Sequence, residues 1–293
     1  MHRLNFHHLH YFWAVAREGH LTRAAERLHV SQSALSSQIR QLEAQLGQPL
    51  FEREGRSLSL TETGRMVLSY AESIFSLGKE MMAALDNHRA AGIRRLRVGS
   101  DATLSRNFQE NFLRPLLAAS DTQLLLRSGQ LETLLPLLKA HELDVILSNR
   151  PVSSDARQPW RCRPLSRQSV CLVGPPRRDD QPFRLPQSLQ DCAMILPGPD
   201  SELRGRFSTL CEQWGVTPKI RAEVDDMAML RLLARDAGCV ALVPAVVVQD
   251  ELQQGQLVQY CTLPQVEETF YAITVERQFQ PPGLAALLAA WKT

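Results

Sequence analysis

Apolar side chains recur at the helical period twice between residues 21 and 46, and a polar break separates the two runs. The first run consists of Leu21, Ala24, Ala25 and Leu28, and the second consists of Leu35, Ile39, Leu42 and Leu46. Each spacing predicts one buried face of an amphipathic helix. Ser31, in the break, is a favourable N-cap for the second helix. The pattern therefore predicts two short helices joined by a tight turn, with Leu46 on the buried face.

The face of the second helix opposite its apolar stripe is polar and rich in hydroxyl groups. It carries Gln32, Ser33, Ser36, Ser37 and Arg40. A recognition helix needs such a face, because its polar side chains meet base edges in the major groove of DNA. The alternative is an ordinary helical bundle with a solvated outer face. We add Thr22, near the start of the first helix, to the expected DNA contacts.

The segment Ala24–Phe51, AAERLHVSQSALSSQIRQLEAQLGQPLF, resembles the DNA-binding signature of LysR-type transcriptional regulators. The similarity is long and ungapped, and the length and layout of the rest of the chain fit that family. Asn5–Gly19 and Leu50–Gly64 are most similar to the members that regulate sodium–proton antiporters. The resemblance implies a sequence-specific regulator, by family habit an activator, that is controlled by a small effector. The subfamily resemblance implies a response to sodium or to alkaline pH.

Residues 50–60 alternate in polarity around Glu54 and Gly55, which predicts a two-stranded wing. Arg53 and Arg56 lie in this wing, where they can reach DNA phosphates. The alternative is a solvated loop.

Residues 62–89 contain no proline and carry an apolar seam at intervals of 4, 3, 4, 3 and 4 residues. The seam consists of Val67, Ala71, Ile74, Gly78, Met81 and Leu85. This heptad-like pattern predicts a helix about 40 Å long that pairs with a second copy and holds two recognition helices on a two-fold DNA site. The LysR resemblance adds a linker helix at the same place. Residues 90–95 are the expected hinge.

Short apolar runs alternate with helical stretches from residue 96 onward, which predicts an α/β domain with a largely parallel sheet. The LysR resemblance implies that this domain is a two-lobed effector domain similar to periplasmic binding proteins. The predicted domains are a winged helix-turn-helix at 1–61, a linker and dimerisation helix with hinge at 62–92, and the effector domain at 93–293. Its first lobe is expected at about 93–163 and 269–293, and its second at about 164–268.

Ligands of open α/β sheets bind beyond the carboxyl ends of strands, next to helix N-termini. This rule selects Ser100, Asp101, Thr103, Ser128, Gly129, Ser148, Asn149, Pro197, Gly198, Ser201, Asp225 and Met227. The LysR resemblance points to the same loops, because effectors of that family bind between the lobes. The alternative for each residue is a plain helix cap. Asp101 and Asp225 leave room for a small cationic ligand.

Composition narrows the function further. The net charge is +2 overall, so charge alone does not indicate nucleic acid, and a dimer must supply much of the phosphate contact. The absence of a signal-peptide core and of long apolar runs predicts a cytoplasmic protein that does not enter membranes. No GxSxG, HExxH, Walker or GxGxxG motif occurs, and the effector region has one histidine, His141, expected on a helix surface. We therefore expect no enzyme and no cofactor.

Seven of the eight histidines precede residue 89, but no cysteine or paired acid accompanies them, so no metal site is expected. The expected partners are double-stranded DNA with a two-fold operator, a small-molecule or ionic effector, further copies in a dimer or tetramer, and RNA polymerase. A ligand-binding module without specific DNA affinity is one alternative.

Thiol-based redox sensing is the other alternative. Some LysR-type regulators sense peroxide through two cysteines nine residues apart. Cys211 matches the later position, but the earlier one falls near Ser201. Cys162 and Cys171 have the same separation, and arginines flank Cys162, which favours a reactive thiolate. Cysteines in apolar runs, such as Cys171, Cys192 and Cys239, are expected to pack as buried side chains in a reducing compartment.

Overall fold

The computed structural model describes residues 4–54, 57–89, 94–155, 160–177, 182–277, 279–281 and 283–291. It divides into two compact units, Met1–Met82 and Ala83–Thr293. The division falls inside the long helix predicted after the wing, so that helix contributes residues to both units.

The N-terminal unit contains the predicted helix-turn-helix and wing. Its elements are α1 (Phe6–Glu18), α2 (Leu21–Arg27), α3 (Gln32–Leu46), β1 (Phe51–Glu54), β2 (Ser57–Leu60) and α4 (Glu62–Arg89). Ser31 caps α3 as predicted, because its hydroxyl accepts a hydrogen bond from the Ala34 amide at 3.2 Å. Strands β1 and β2 pair antiparallel, from Phe51 opposite Leu60 to Glu54 opposite Ser57.

Two small cores hold this unit together. One joins α1, α3, the wing and α4 through Leu9, Phe12, Leu42, Leu50 and Ala71, and the other joins α1, α2 and α3 through Val15, Ala24, Ala25, Leu35 and Ile39. The prediction that Leu46 is buried was wrong, because its side chain is 39% exposed. Leu46 is the last residue of α3, and the left-handed Gly47 turns the chain away before another element covers it.

Helix α4 is confirmed at 28 residues. Ala71 is buried and Val67 and Ile74 are half-buried against the N-terminal unit, whereas Met81 and Leu85 are exposed. The first half of the predicted seam therefore packs within the chain, and part of its second half is accessible.

The C-terminal unit alternates strands and helices, as the sequence predicts. Its strands are β3 (Arg94–Asp101), β4 (Thr122–Gly129), β5 (Val145–Ser148), β6 (Trp160–Gly174), β7 (Ala193–Pro197), β8 (Lys219–Val224), β9 (Val240–Pro244) and β10 (Val258–Val275). Its helices are α5 (Arg106–Leu117), α6 (Leu131–Lys139), α7 (Ser188–Asp191), α8 (Glu202–Trp214), α9 (Met227–Asp236), a 3-10 turn (Ala245–Val248), α10 (Gln249–Gln253) and α11 (Leu284–Ala290).

The strands form one mixed sheet in the order β4-β3-β5-β10-β6-β9-β7-β8. Pairs β3/β4, β3/β5, β7/β8 and β7/β9 are parallel, whereas β10 is antiparallel to β5 and β6, and β6 is antiparallel to β9. The sheet is therefore less parallel than predicted, because two long strands cross its middle in opposite directions.

Separate cores define two lobes within this sheet. The core of the first lobe includes Phe108, Phe112 and Phe270 on one face of the sheet. A neighbouring cluster of buried side chains, which includes Leu134 and Ile146, covers the other face. The second lobe has its own core of 24 buried residues, which includes Phe207 and Leu242. Along β6 the core changes from the first lobe at Leu165 to the second at Val170. Strands β6 and β10 are thus the crossing between the lobes.

His141 corrects a further expectation. It is not on a helix surface but follows the end of α6 with a left-handed φ of 56° and is 7% exposed. The chain reverses directly after Lys139, and this turn places the imidazole inside.

Candidate functional site

The polar face of α3 is accessible along its whole length. Gln32, Ser33, Ser37 and Arg40 are exposed and Ser36 is half-buried, whereas Leu35, Ile39 and Leu42 on the opposite side are at most 5% exposed. We call Gln32, Ser33, Ser36, Ser37 and Arg40 the recognition face. Arg40 donates from Nη2 to the Ser36 hydroxyl at 3.2 Å, one helical turn earlier. The first turn of α3 holds no acidic residue, so its positive helix end favours a phosphate.

The structure describes the other three predicted DNA contacts in less detail. Thr22 is half-buried in the first turn of α2. Arg53 lies on β1 with its Cα opposite that of Leu58, and nothing further is described for its side chain. Arg56 lies outside the described residues.

At the first lobe, four of the predicted effector residues meet in hydrogen bonds. Asp101 is fully buried, and its Oδ2 accepts from the Ser148 hydroxyl at 3.0 Å and from Arg150 Nε at 3.2 Å. Thr103 donates from Oγ1 to Asn149 Oδ1 at 3.0 Å. The remaining oxygen of Asp101, Oδ1, is buried without a hydrogen-bond partner among the described residues. The carboxyl ends of β3 and β5 thus form a polar cluster, as the sheet rule predicts.

The remaining predicted residues of the first lobe lie at the same edge of the sheet, where each forms a hydrogen bond with another residue of the chain. The Ser100 hydroxyl is buried and lies 3.4 Å from the Asp101 carbonyl oxygen. Ser128 accepts from Arg106 Nη1 at 3.4 Å. The Gly129 carbonyl accepts from the Ala102 amide at 3.0 Å, which fixes the loop after β3.

The second lobe presents a close contact between two strand ends. A Cβ on Gly198 would lie 1.6 Å from Asp225 Oδ1, so only glycine permits the two residues to approach. Ser201 precedes α8 without forming a side-chain cap, in contrast to Asp226, whose carboxylate caps α9. Pro197 ends β7 and is buried.

Met227 corrects the predicted effector set. It is 4% exposed and belongs to the core of the second lobe, although it is the first residue of α9. The first turn of an amphipathic helix also carries its buried stripe, and Met227 lies on that stripe with Leu230 and Ala234. We therefore no longer expect Met227 to contact an effector.

A buried carboxyl group joins the first-lobe cluster to the second lobe. Asn149 donates from Nδ2 to Glu268 Oε1 at 2.8 Å, and Glu268 lies where β10 crosses between the lobes. Next to it, Arg206 of α8 donates to the Glu267 carbonyl at 3.0 Å and pairs with Glu202 at 2.5 Å. The pKa of Glu268 is raised overall to about 7, chiefly by burial; the Asn149 hydrogen bond lowers it, Glu202 raises it and Arg206 lowers it.

Both units of the chain match models of known protein families. Residues 6–65 match the model of the bacterial regulatory helix-turn-helix protein, lysR family, and residues 90–293 match the LysR substrate binding domain. The chain belongs to the LysR family. It is 29% identical over 288 residues to the transcriptional activator protein NhaR of Escherichia coli, covering 97% of this chain and 94% of that protein.

Solved structures of LysR-family proteins share the fold. Full-length OxyR from Pseudomonas aeruginosa superimposes with a TM-score of 0.58 at 22% identity, covering 99% of this chain and 95% of that one. CbnR complexed with its target DNA gives a TM-score of 0.55 at 22% identity, covering 98% and 99%. This LysR-family chain is therefore a DNA-binding transcriptional regulator with an effector-binding domain and not an enzyme.

The cysteines of this LysR-family protein do not favour a thiol switch. Burial raises the pKa of Cys171 to about 12 and that of Cys261 to about 11, and it also raises the pKa of Cys192 and Cys211. A raised pKa leaves little reactive thiolate. Cys162 and Cys171 lie nine residues apart on the continuous strand β6, or roughly 30 Å, which is far beyond disulfide reach.

Two features are absent from the part of the chain that the structure describes. No helix among them is long and apolar enough to cross a membrane. Within the same ranges, no group of three or more histidine, cysteine, aspartate or glutamate side chains is arranged to hold a metal ion.

Sequence reasoning missed the charged partners of the cluster, namely Arg150, Glu202, Arg206 and Glu268. Arg206 and Glu268 lie within α8 and β10, so the sheet rule cannot select them. Arg150 and Glu202 directly follow the predicted residues Asn149 and Ser201 and were left out of the set.

Glu268→Gln is expected to alter how stability depends on pH. The neutral carboxyl stabilises the fold fully below pH 4.5, its ordinary pKa, and this contribution is lost as pH rises through about 7. Glutamine keeps an oxygen that can accept from Asn149 but does not titrate. Urea unfolding between about pH 5 and about pH 8 should show the wild type losing stability relative to the variant, by about 3 kcal/mol at most. Parallel curves would contradict this assignment, and Glu110→Gln, at an exposed carboxylate, is the control.

Proposed function

We propose that the recognition face of α3 enters the major groove and contacts base edges. The observation that carries this proposal is the division of α3 into a buried apolar side and an accessible polar side, with Ser31 capping its first turn. Arginine and glutamine are suited to such contacts, because Arg40 can pair with guanine and Gln32 with adenine through two hydrogen bonds.

The neighbouring residues supply contacts to the DNA backbone in this proposal. Thr22 at the start of α2 and Arg53 and Arg56 of the wing bind phosphates on either side of the groove. These contacts orient the domain without selecting a sequence.

We further propose that α4 pairs two copies. Its accessible apolar side chains include Met66, Tyr70, Leu77, Met81, Met82 and Leu85. An apolar helix surface of this kind is covered when two helices pack along a heptad-like seam. A dimer, or a tetramer made of two dimers, then presents two recognition faces to a two-fold operator.

The effector is proposed to bind between the lobes, at the edges that carry Asp101, Thr103, Ser148, Asn149 and the pair Gly198 and Asp225. Strand ends from both lobes bear polar groups there, and the crossing strands allow the lobes to move. A small molecule or ion that prefers one lobe arrangement shifts the population toward it. Activation, through RNA polymerase bound at the promoter, is proposed from the similarity to NhaR.

Arg40→Ala is expected to weaken operator binding by roughly tenfold to a hundredfold, which is the discrimination of one base contact. The measurement is a mobility-shift titration at fixed salt on the DNA beside the protein's own gene, with scrambled DNA as competitor. The mass of the oligomer should remain that of the wild type, since Arg40 is exposed and its guanidinium donates to Ser36 of the same helix. Arg114→Ala is the control, because this exposed arginine of α5 pairs with Glu110 in the effector domain. Unchanged operator affinity would remove Arg40 from the recognition face.

A further inference from the structure

Helices α5 and α9 belong to different lobes, and both begin at the proposed effector cleft. The loop containing Thr103 leads into α5, and Asp225 leads into α9. Asn107 lies in the first turn of α5 and Arg231 in the second turn of α9. Arg231 donates from Nη1 to Asn107 Oδ1 at 2.7 Å, which ties the two helices directly.

The contact is part of a closed network with α10. Arg231 donates from Nε to Glu251 Oε1 at 2.7 Å and from Nη2 to Asp250 Oδ2 at 2.8 Å. Asn107 donates from Nδ2 to the same Asp250 oxygen and to the Val247 carbonyl, both at 3.3 Å. Asn107 is 5% exposed and Glu251 is 3% exposed. The side chains of Arg231 and Asp250 are 26% and 41% exposed, so the network extends from the interior to the surface. We call Asn107, Arg231, Asp250 and Glu251 the interlobe clasp.

The charges of the clasp are arranged unevenly between the lobes. Arg231, Asp250 and Glu251 all belong to the second lobe, so the ion pairs remain intact when the lobes separate. Within the clasp, the residue that reaches across from the first lobe is Asn107, a neutral amide. Separation therefore breaks hydrogen bonds without leaving an unpaired buried charge, which would be far more costly. A further hydrogen bond between the lobes, from Asn111 Nδ2 to Gln249 Oε1 at 2.9 Å, joins two neutral amides beside it.

We propose that Arg231 and Asn107 are positioning residues that set the separation of the two helix ends lining the effector cleft. The clasp holds one lobe arrangement, and a ligand that favours another must break or rebuild these hydrogen bonds between the lobes. This inference rests on the proposed effector function, because it assigns the control of that same cleft. It assigns to the cleft one further residue from each lobe, Asn107 and Arg231, and neither lies at the carboxyl end of a strand.

The test measures the distance between the lobes in the full-length protein, without DNA or effector. Spin labels are attached by non-cysteine chemistry at exposed Ser120 in the first lobe and Gln213 in the second, and labelled chains are diluted with unlabelled ones. Asn107→Ala removes the arm from the first lobe. Arg231→Lys keeps the positive charge beside α10 but loses the planar fork that reaches three partners at once.

Both variants are expected to broaden the interlobe distance distribution and shift it to larger values, and the double variant should add little to either. Amide exchange in the first turns of α5 should rise by about tenfold or more, since a hydrogen bond to a charged group is lost. Arg235→Gln is the matched control, because Arg235 lies one turn further along α9 and its guanidinium forms hydrogen bonds and an ion pair with the exposed Asp236.

A wild-type distance distribution in folded Asn107→Ala would overturn the clasp. Additive losses of stability with no change in distance would do the same, because they indicate a purely structural role. Failure of the wild type to bind its operator specifically is a separate result. It would contradict the regulator function and leave the distance measurement intact.

Discussion

Gly64→Ala is expected to destabilise the N-terminal unit by about 3 kcal/mol, the upper end for overpacking, and to abolish operator binding with it. A Cβ at Gly64 would lie 2.0 Å from the Leu50 carbonyl oxygen and 3.0 Å from Leu60 Cδ2. The obstacle is backbone, so no side-chain rotation relieves it. Leu50 is fully buried, and its amide is fixed by Glu43 Oε1 at 2.8 Å, so the strand cannot easily move away.

Urea unfolding of the full chain, with helix content and operator binding as readouts, checks this prediction. Gly205→Ala in α8 is the control, since a Cβ there meets nothing within 4 Å. Alanine in an open helix position should stabilise by about 0.5–1 kcal/mol. An unfolding midpoint of Gly64→Ala equal to that of the wild type would show that α4 does not approach the wing as closely as described.

Asp144→Ala is expected to cost about 3–5 kcal/mol in the C-terminal unit, because it removes one partner of a buried ionic cluster. The Asp144 side chain is fully buried and binds Arg97 through Oδ1 and Oδ2 and Arg277 through Oδ1, each at 2.8–3.2 Å. Arg277 is only 5% exposed, so it would keep a buried charge without its carboxylate. The loss also removes the carboxylate that accepts from the Arg97 amide at 2.8 Å in β3, the strand that ends at Asp101.

Asp121→Ala provides the matched comparison for Asp144→Ala. The Asp121 carboxylate pairs at 3.2 Å with Nε of Arg94, which lies on β3 as Arg97 does. Both side chains of this pair are about half exposed. Solvated pairs of this kind contribute between about 0 and 1 kcal/mol. Calorimetric or urea unfolding should therefore separate the two variants clearly, and equal losses would contradict the buried character of the Asp144 cluster.

The N-terminal unit follows closely from its sequence because its contacts are local. The stripe of Leu35, Ile39 and Leu42 predicts the buried side of α3, and Ser31 predicts its beginning. Leu46 and His141 were misplaced because both lie at helix ends, where the chain direction after the last turn decides burial. The spacing of apolar residues within a helix does not predict the direction that the chain takes beyond the helix end.

The effector domain was predictable in class but not in its central features. Strands β6 and β10 carry arginine, proline and glutamate along their crossing, so their length and antiparallel pairing do not show as apolar runs. The contacts that join the lobes link residues far apart in sequence, such as Asn149 with Glu268 and Asn107 with Arg231. Such pairs depend on how the crossing strands bring the lobes together, and one sequence alone does not determine this.

The most direct test of the regulator function is a footprinting experiment on the DNA beside the protein's own gene, at stated salt and with scrambled competitor. We expect protection of two half-sites related by a two-fold axis and about one helical turn apart, or a multiple of it, which survives the competitor. Arg40→Ala should lose the protected half-sites at protein concentrations that saturate the wild type. Uniform, salt-sensitive protection of both DNAs would instead indicate non-specific phosphate binding and would contradict recognition by α3.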